Sequence, residues 1–316
     1  MSEYDLVIIG AGPAGLTAGL YAQRAGMKVI MLEKLQPGGL LFWTETIENF
    51  PGFPEGVSGR ELAERFRAQA VQAGLTIVTQ EVKQIVWVQP TEALKWYSVK
   101  TQEREYNIHC VILASGAHPK RINVPREEML TGKGVSYCAT CDGPLFRDQD
   151  IVVVGGGNAA CEEALYLAKF ARKVSLIHRR DRLRADQLLQ QRLKANPKIN
   201  ILWNTVVLEI LGAEKVTGVK IEDVATAKRS ELSCAGVFIF AGFKPNTDFV
   251  KGLVNLDIQG FITTDANLQT SRPGIFACGD CRLRALAQIV TACGEGAQAA
   301  QAARQYVDQL TGRTYA

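Results

Sequence analysis

The hydrophobic positions of this chain fall into short apolar runs that alternate with segments of helical period. Leu6-Val7-Ile8-Ile9 is a β-branched run that stops at Gly10, and beyond Pro13 the apolar residues Leu16, Leu20 and Tyr21 recur at helical spacing. The pattern predicts a strand over residues 5–9, a helix over 13–25, a strand over 28–33 and a helix over 58–73. A β-rich stretch follows, from Leu75 through Trp87, over 96–99 and over 109–114, ending at Ala114-Ser115-Gly116. The strand-turn-helix unit then starts again. Ile151-Val152-Val153-Val154 enters Gly155, a helix runs through Cys161, Ala164, Leu165, Leu167 and Ala168, and a strand returns at Val174-Ser175-Leu176-Ile177. Strands alternating with helices build a parallel sheet, so the fold class is α/β. The closing stretch, 261–265 followed by 274–280, reads as a strand pair ending in an acidic turn.

Both turns carry a glycine fingerprint. In such a turn the first glycine permits the tight bend, the second lets backbone approach a pyrophosphate, and the third allows close helix packing. Gly10, Gly12 and Gly15 fill these places in the first turn, where Pro13 and Ala14 open the helix whose N-terminus favours phosphate. Glu33 ends the next strand, where a carboxylate accepts hydrogen bonds from both hydroxyls of an adenosine ribose; FAD and NAD both suit it. Gly155, Gly157 and Ala160 repeat the fingerprint, with Asn158 and Ala159 at the helix start. After the following strand the carboxylate position holds His178-Arg179-Arg180, with Arg184 close behind. Guanidinium groups there suit a 2′-phosphate, which favours NADP over NAD; a solvated strand end paired with Asp181 or Asp186 is the structural alternative. Glu162 and Glu163 are placed in the first turn of this helix, where they would favour its dipole.

Two fingerprints predict two Rossmann-like dinucleotide-binding domains, each three-layered, the second inserted into the first. The boundaries expected are 1–116 and 245–316 for the first domain and 117–244 for the second, with hinges at Gly116-Ala117 and Gly242-Phe243-Lys244-Pro245.

Composition narrows the picture. The chain has 316 residues, 47% hydrophobic and 22% charged, sufficient for two ordinary globular domains. A net charge of +4, without a long basic run, argues against nucleic acid as a partner. No apolar stretch approaches the roughly 20 residues of a membrane helix, and the first strand begins near the N-terminus, which predicts a cytoplasmic protein away from membranes.

Eight cysteines add the remaining chemistry. Cys110, Cys161, Cys234 and Cys293 stand singly in apolar or small-residue settings and read as reduced core residues. Cys138-Ala139-Thr140-Cys141-Asp142 has the spacing of a redox dithiol, in which one thiol has a lowered pKa. A carboxyl beside a thiolate resists ionising, which suits Asp142 to carrying a proton. Zinc is the rival reading, but His109, His118 and His178 are not spaced to complete a site, so no metal is expected. Cys278-Gly279-Asp280-Cys281 repeats the two-residue separation at the end of the sheet; Cys278 reads as a small packed side chain, and Cys281 has no assigned role.

In order and content these pieces resemble the low-molecular-weight, bacterial-type thioredoxin reductases of the FAD/NAD(P)-dependent pyridine nucleotide-disulfide oxidoreductases. The matching segments are residues 10–15, Glu48-Asn49-Phe50-Pro51-Gly52, Ala114-Ser115-Gly116, Gly134-Val135-Ser136 before 138–143, 155–158, His178-Arg179-Arg180-Asp181 and 274–280. The resemblance implies a flavoprotein oxidoreductase that passes electrons from NADPH through FAD and a Cys138–Cys141 disulfide to thioredoxin. It implies FAD held by both chain ends, with Gly279 and Asp280 at the ribityl chain, Asn49 near the isoalloxazine and Gln288 close by. Cys141 would be the sulfur nearer the flavin, Cys138 the one that exchanges with thioredoxin, Asp142 the proton carrier and Lys133 a docking residue. It also implies a homodimer through the FAD domain and rotation of the inserted domain between two orientations. Several positions depart from the family pattern: Leu40 where relatives carry glutamine, the bulky Phe42 and Trp43, Ala287 where an arginine is usual, and Tyr315 near the C-terminus. Some reductases of this fold that use ferredoxin or a second flavin place aromatic residues over the flavin, so a dithiol flavoenzyme with ferredoxin, a second flavin or oxygen as redox partner is the enzymatic alternative, and packing in the core or at a dimer contact is the structural one. A dinucleotide-binding redox sensor is the alternative outside catalysis.

Overall fold

The computed structural model describes residues 3–43, 47, 49–89 and 96–312, and for Trp43, Thr140 and Cys141 the backbone alone. The chain begins with β1 (Tyr4–Ile9), α1 (Pro13–Arg24), β2 (Val29–Glu33), α2 (Gly59–Gln72), β3 (Thr76–Thr79), β4 (Gln84–Val88), β5 (Trp96–Lys100) and β6 (Glu105–Leu113). It continues through β7 (Ala117–Pro119), β8 (Val135–Ser136), α3 (Ala139–Asp142), β9 (Asp150–Gly155), α4 (Asn158–Leu167), β10 (Lys173–Ile177), α5 (Gln187–Ala195) and β11 (Ile199–Leu202). Then come β12 (Thr205–Leu211), β13 (Gly218–Asp223), β14 (Arg229–Ser233), β15 (Gly236–Phe240), β16 (Phe243–Pro245), β17 (Ile275–Ala277) and α6 (Ile289–Thr311). Contacts divide it into two units, one of Met1–Trp43, Ile47–His118 and Lys244–Ala316, the other built on Pro119–Phe243. Among the described residues no helix is long and apolar enough to cross a membrane.

The first unit is organised on a sheet of order β3-β2-β1-β6-β5-β4, with β17 added beside the second half of β6. Strands β1, β2, β3, β6 and β17 are mutually parallel, and β5 runs antiparallel to its neighbours β4 and β6. Period-two alternation separates two cores. Leu6 and Ile8 face α1 and α6, whereas Val7 and Ile9 join Ile30, Leu32, Tyr97 and Ile262 on the other face. Small residues line the helix pair: Ala14, Ala18 and Ala22 of α1 share a core with Ala292, Ala299, Ala300 and Ala303 of α6. A Cβ on Gly296 would stand 2.2 Å from the Ala14 carbonyl oxygen, so the backbones meet directly. Helix α2 begins at Ser58, whose Oγ accepts the Glu61 N–H at 3.1 Å.

The second unit has a parallel five-stranded sheet of order β11-β10-β9-β15-β8 and a three-stranded antiparallel sheet β12-β13-β14. Ile151 and Val153 face Cys161, Ala164 and Leu167 of α4, while Val152 faces Val207, Ile210 and Val219. Helices, parallel sheet and antiparallel sheet therefore form three layers.

Two expectations require correction. Residues 261–265 form no strand; Ile262 makes only isolated bridges to Leu256 and Arg282. The backbone donors of the segment go to separate acceptors and no single partner strand: Phe261 N–H to Asp257 Oδ1 at 2.8 Å, Ile262 N–H to the Cys281 oxygen at 3.0 Å, Thr263 N–H to the Asn255 oxygen at 3.1 Å and Asp265 N–H to the Gln269 oxygen at 2.9 Å. Glu162 and Glu163 lie in the second turn of α4, beyond the exposed N–H groups, so the helix-dipole argument does not apply to them.

Candidate active site

At the first turn β1 ends and the chain bends at Gly10, whose φ of 103° lies in the left-handed region and whose Cβ would stand 2.4 Å from the Ala114 oxygen. Gly12 is the N-cap of α1, makes no side-chain cap bond and has open space where a Cβ would be, with Pro13 following. The helix therefore offers its first N–H groups outward. Gly15 is required by packing, since a Cβ there would meet the Gly10 oxygen at 1.9 Å. Glu33 braces the turn: its Oε2 accepts the Ala11 N–H at 2.6 Å and its Oε1 the Leu35 N–H at 3.0 Å.

Residues distant in sequence gather in the same unit. Asn49 Nδ2 donates to Gln288 Oε1 at 3.0 Å. Gly279 lies against Ala14, where a Cβ would stand 2.8 Å from the alanine methyl, and its N–H donates to Glu295 Oε2 at 2.7 Å. Asp280 forms an ion pair with the buried Arg284. Arg284 Nε is itself buried and has no hydrogen-bond partner among the described residues.

The second turn follows the same plan with one change. Gly157 caps α4 without a side-chain bond and faces open space. Ala160 is buried, and its methyl occupies the place that excludes a side chain at Gly155, where a Cβ would come within 2.4 Å. This is why the third fingerprint position tolerates alanine here and not at Gly15.

His178, expected beside the arginines at a cofactor phosphate, is turned inward instead. Its Nδ1 lies 2.8 Å from the Gly155 oxygen and its Nε2 lies 2.9 Å from the Arg182 oxygen. The ring fills the space behind Gly156, where a Cβ would meet Nδ1 at 2.1 Å. Two further links join the glycine turn to the arginine-bearing loop. The Arg184 N–H donates to the Gly156 oxygen at 2.7 Å, and Asn158 exchanges two bonds with Asp186, Nδ2 to Oδ2 at 2.7 Å and the Asp186 N–H to Oδ1 at 2.9 Å. Asp186 is thereby engaged by Asn158. Arg179, Arg180 and Arg184 are exposed, and among the described residues none of them forms an ion pair with a carboxylate. Ala159 is exposed in the first turn of α4.

Cys138 lies between β8 and the single turn α3, and it is disulfide-bonded. Ala139 is fully buried against α4, and a Cβ on Gly143 would stand 3.0 Å from Leu167, so the cysteine-bearing segment is seated on the helix that starts at the second glycine turn. The Asp142 N–H donates to the Cys138 oxygen at 3.3 Å.

The family model for pyridine nucleotide-disulphide oxidoreductases matches residues 4–296. The chain belongs to this family. It is 44% identical over 311 residues to a thioredoxin reductase of Peptoclostridium acidaminophilum, covering 96% of this chain and 97% of the relative. It is similar to two solved structures: a thioredoxin reductase from Streptococcus pyogenes (45% identity, TM-score 0.78, 97% of this chain and 98% of that one) and one from Lactococcus lactis (41%, 0.78, 97% and 100%).

For a pyridine nucleotide-disulphide oxidoreductase the inventory of thiols matters. Cys110, Cys161 and Cys234 are buried free thiols, and burial pushes Cys161 up to about 11 and Cys234 up to about 12. Cys278 and Cys281 are also free and fully buried; burial raises both, Cys281 to about 11. Cys281 Sγ donates to the Leu113 and Cys278 oxygens at 3.4 and 3.3 Å, so it ties the end of β17 to β6 and is held as an inert thiol. Phe42 packs with Leu41, Ile47, Val57, Leu62 and Ala63, and its ring lies where a Cβ on Gly38 would be, so it is a core residue of the first unit. The Trp43 side chain and Tyr315 lie outside the described residues.

Sequence reasoning missed the ion network around Glu295. Its Oε1 accepts from Arg282 Nη1 at 2.7 Å and its Oε2 stands 3.7 Å from Arg284 Nη1, all three side chains being largely buried. The signal was present: one acid inside the small-residue run of α6, and an Arg-x-Arg spacing directly after Gly279-Asp280-Cys281.

Proposed function

We propose that this chain is a thioredoxin reductase, in which NADPH supplies a hydride, FAD carries its electrons, and the Cys138–Cys141 disulfide delivers them to thioredoxin. The observation that carries this reading is a disulfide-bonded Cys138 seated on the helix that opens from a dinucleotide turn, with a second such turn in the other unit. Identity of 41–45% over nearly whole chains to the thioredoxin reductases named above supports it.

The residues fit both cofactors. FAD suits the first unit: open space at Gly12, N–H groups offered by Ala14 and Gly15 at the start of the helix, and beside Asp280 the buried Arg284 Nε, which has no hydrogen-bond partner among the described residues. Gly10 and Gly15 allow the close turn, Glu33 retains lone pairs for ribose hydroxyls, and in this reading Gly279, packed on Ala14, with Asp280 and the bonded pair Asn49 and Gln288 complete the FAD site. NADPH suits the second unit: Gly155 and Gly157 open the turn, Asn158 and Ala159 begin the helix, and the exposed Arg179, Arg180 and Arg184, which pair with no carboxylate among the described residues, suit a 2′-phosphate. His178 holds that loop from behind.

In the reduced protein the Cys138 thiolate attacks one sulfur of the thioredoxin disulfide, forming a mixed disulfide and releasing a thiolate. The Cys141 thiolate then attacks Cys138 Sγ, which re-forms the intramolecular disulfide and frees the second thioredoxin thiolate. Two electrons leave this chain, and Asp142 carries a proton between solvent and the departing sulfur. The reading includes a homodimer formed through the first unit and a cytoplasmic location, both in keeping with the family resemblance.

Anaerobic titration tests it. Stoichiometric NADPH bleaches the flavin absorbance, and adding thioredoxin restores it over many turnovers, while Cys138→Ser abolishes turnover with thioredoxin. Absence of bleaching with NADPH, with bleaching by reduced ferredoxin, would overturn the assignment of the donor; full thioredoxin turnover by the serine variant would overturn the dithiol.

A further inference from the structure

Glu127 is a carboxylate only 2% exposed, and among the described residues it has no ion pair. A buried carboxylate is costly unless its lone pairs are filled. Three donors fill them here. The Ile122 N–H reaches Oε1 at 3.1 Å, the Val124 N–H reaches Oε2 at 3.3 Å, and the Tyr137 hydroxyl reaches Oε1 at 2.7 Å. The chain bends to bring them in. Asn123 at φ 57° and Arg126 at φ 66° both occupy the left-handed region, an unfavourable conformation for residues with a Cβ; Asn123 lies between the two donated N–H groups and Arg126 directly before the acid. The Thr131 hydroxyl donates to the Glu127 oxygen at 2.8 Å and fixes the acid from its own backbone. A strained loop that commits three donors to one acid is an expensive way to fill a core, where an apolar side chain would serve.

What the acid grips is the residue before the disulfide-bonded cysteine. Tyr137 follows β8, whose Val135 and Ser136 are in register with Val237 and Phe238 of β15, and its ring packs beside the core that contains Leu130, Val135 and Val216. Burial, with Glu127 next, raises the phenol, so Tyr137 is held as a hydrogen-bond donor. On the other side Ser136 Oγ accepts the Cys138 N–H and donates to the Cys138 oxygen, each at 3.1 Å. Cys138 thus has its backbone tied locally by Ser136 and its preceding residue tied to an acid ten positions upstream.

The geometry points to Glu127 and Tyr137 as positioning residues that fix Cys138 for thiol-disulfide exchange. Exchange demands a near-linear approach of three sulfurs, and a cysteine free to swing wastes most encounters. The clamp reaches the sulfur only through the backbone, so it governs how fast a bound partner reacts and not how tightly it binds. This rests on Cys138 being the exchanging cysteine of the function proposed above.

The test uses Tyr137→Phe, which keeps the ring and removes the hydroxyl, and Glu127→Gln, which keeps the shape and one acceptor, in the FAD-loaded protein. For Tyr137→Phe we expect kcat with thioredoxin to fall about tenfold with KM within about twofold, while NADPH-driven reduction of ferricyanide, which bypasses Cys138, stays at the wild-type rate. Glu127→Gln should lie between wild type and Tyr137→Phe. Wild-type kcat in Tyr137→Phe, or an equal fall in both reactions, overturns the clamp. A function-independent arm follows alkylation of Cys138 by iodoacetamide in the dithiothreitol-reduced protein, mapped by peptide. The rate should change about fivefold or more in Tyr137→Phe, and an unchanged rate overturns the proposal. Failure of the wild type to reduce thioredoxin would instead sink the functional reading and leave the alkylation arm to decide the clamp.

Discussion

Two glycines of α6, two residues apart, should respond oppositely to the same substitution. Replacing glycine by alanine inside a helix gains about 0.8–1 kcal/mol of propensity wherever the methyl has room. Gly294 has room, since a Cβ there meets nothing within 4 Å. Gly296 does not: its Cβ would lie 2.2 Å from the Ala14 oxygen, 3.0 Å from the Ala14 carbonyl carbon and 3.1 Å from the Ala18 nitrogen. These are backbone atoms of α1 and cannot rotate away. Ordinary contact begins at 3.4 Å, so α6 must retreat by about 1 Å along a seam where Ala14, Ala18, Ala292, Ala299, Ala300 and Ala303 are all buried. Overpacking of this kind costs about 1–3 kcal/mol. Gly294→Ala should therefore stabilise the apoprotein by up to about 1 kcal/mol, and Gly296→Ala should destabilise it by up to about 2 kcal/mol after the propensity gain. Urea unfolding followed by far-UV circular dichroism measures both. Because Ala14 belongs to the first turn of α1, Gly296→Ala should also weaken FAD retention. Equal stabilisation by the two variants would refute the direct contact of helix backbones.

Two further predictions concern the second unit. Burial, with Glu162 adding to it, raises Glu163 from 4.5 to about 7, so the folded state binds its proton more tightly than the unfolded chain; the stability it contributes below pH 4.5 is lost as pH rises through 7. At 1.36 kcal/mol per pH unit the loss is at most about 3 kcal/mol. Glu163→Gln should flatten the fall in stability between pH 5 and 7.5 by about 2 kcal/mol, and denaturant midpoints that decline as steeply as in the wild type would contradict this. Gly156→Ala would place a methyl 2.1 Å from His178 Nδ1 and force the ring off the Gly155 and Arg182 oxygens. NADPH affinity should then drop about tenfold or more with FAD content unchanged, and an unaltered titration would show that the staple does not organise the site.

The amino-acid sequence by itself determined the α/β class, the two strand-turn-helix units and the place of the cysteine pair. Each is a local property, because backbone geometry sets periods of two and 3.6 and a phosphate turn needs its glycines within six consecutive residues. Gly10, Gly12 and Gly15 were readable for that reason, and so was the inverted charge at Arg179 and Arg180. Residues 261–265 misled because strand-like composition does not say where backbone donors go, and here Ile262, Thr263 and Asp265 donate to Cys281, Asn255 and Gln269, three separate segments and not one partner strand. Tertiary structure alone decided which polar groups are buried and by what they are met. His178 could be placed near a phosphate from its position, but its inward turn depends on two carbonyl oxygens contributed by different loops. Arg282, Arg284 and Glu295 gain meaning only when α6 closes on the end of β17, and Glu127 only when a strained loop delivers it to Tyr137. Desolvation is a property of the neighbours that folding brings together, whereas periodicity belongs to the chain itself.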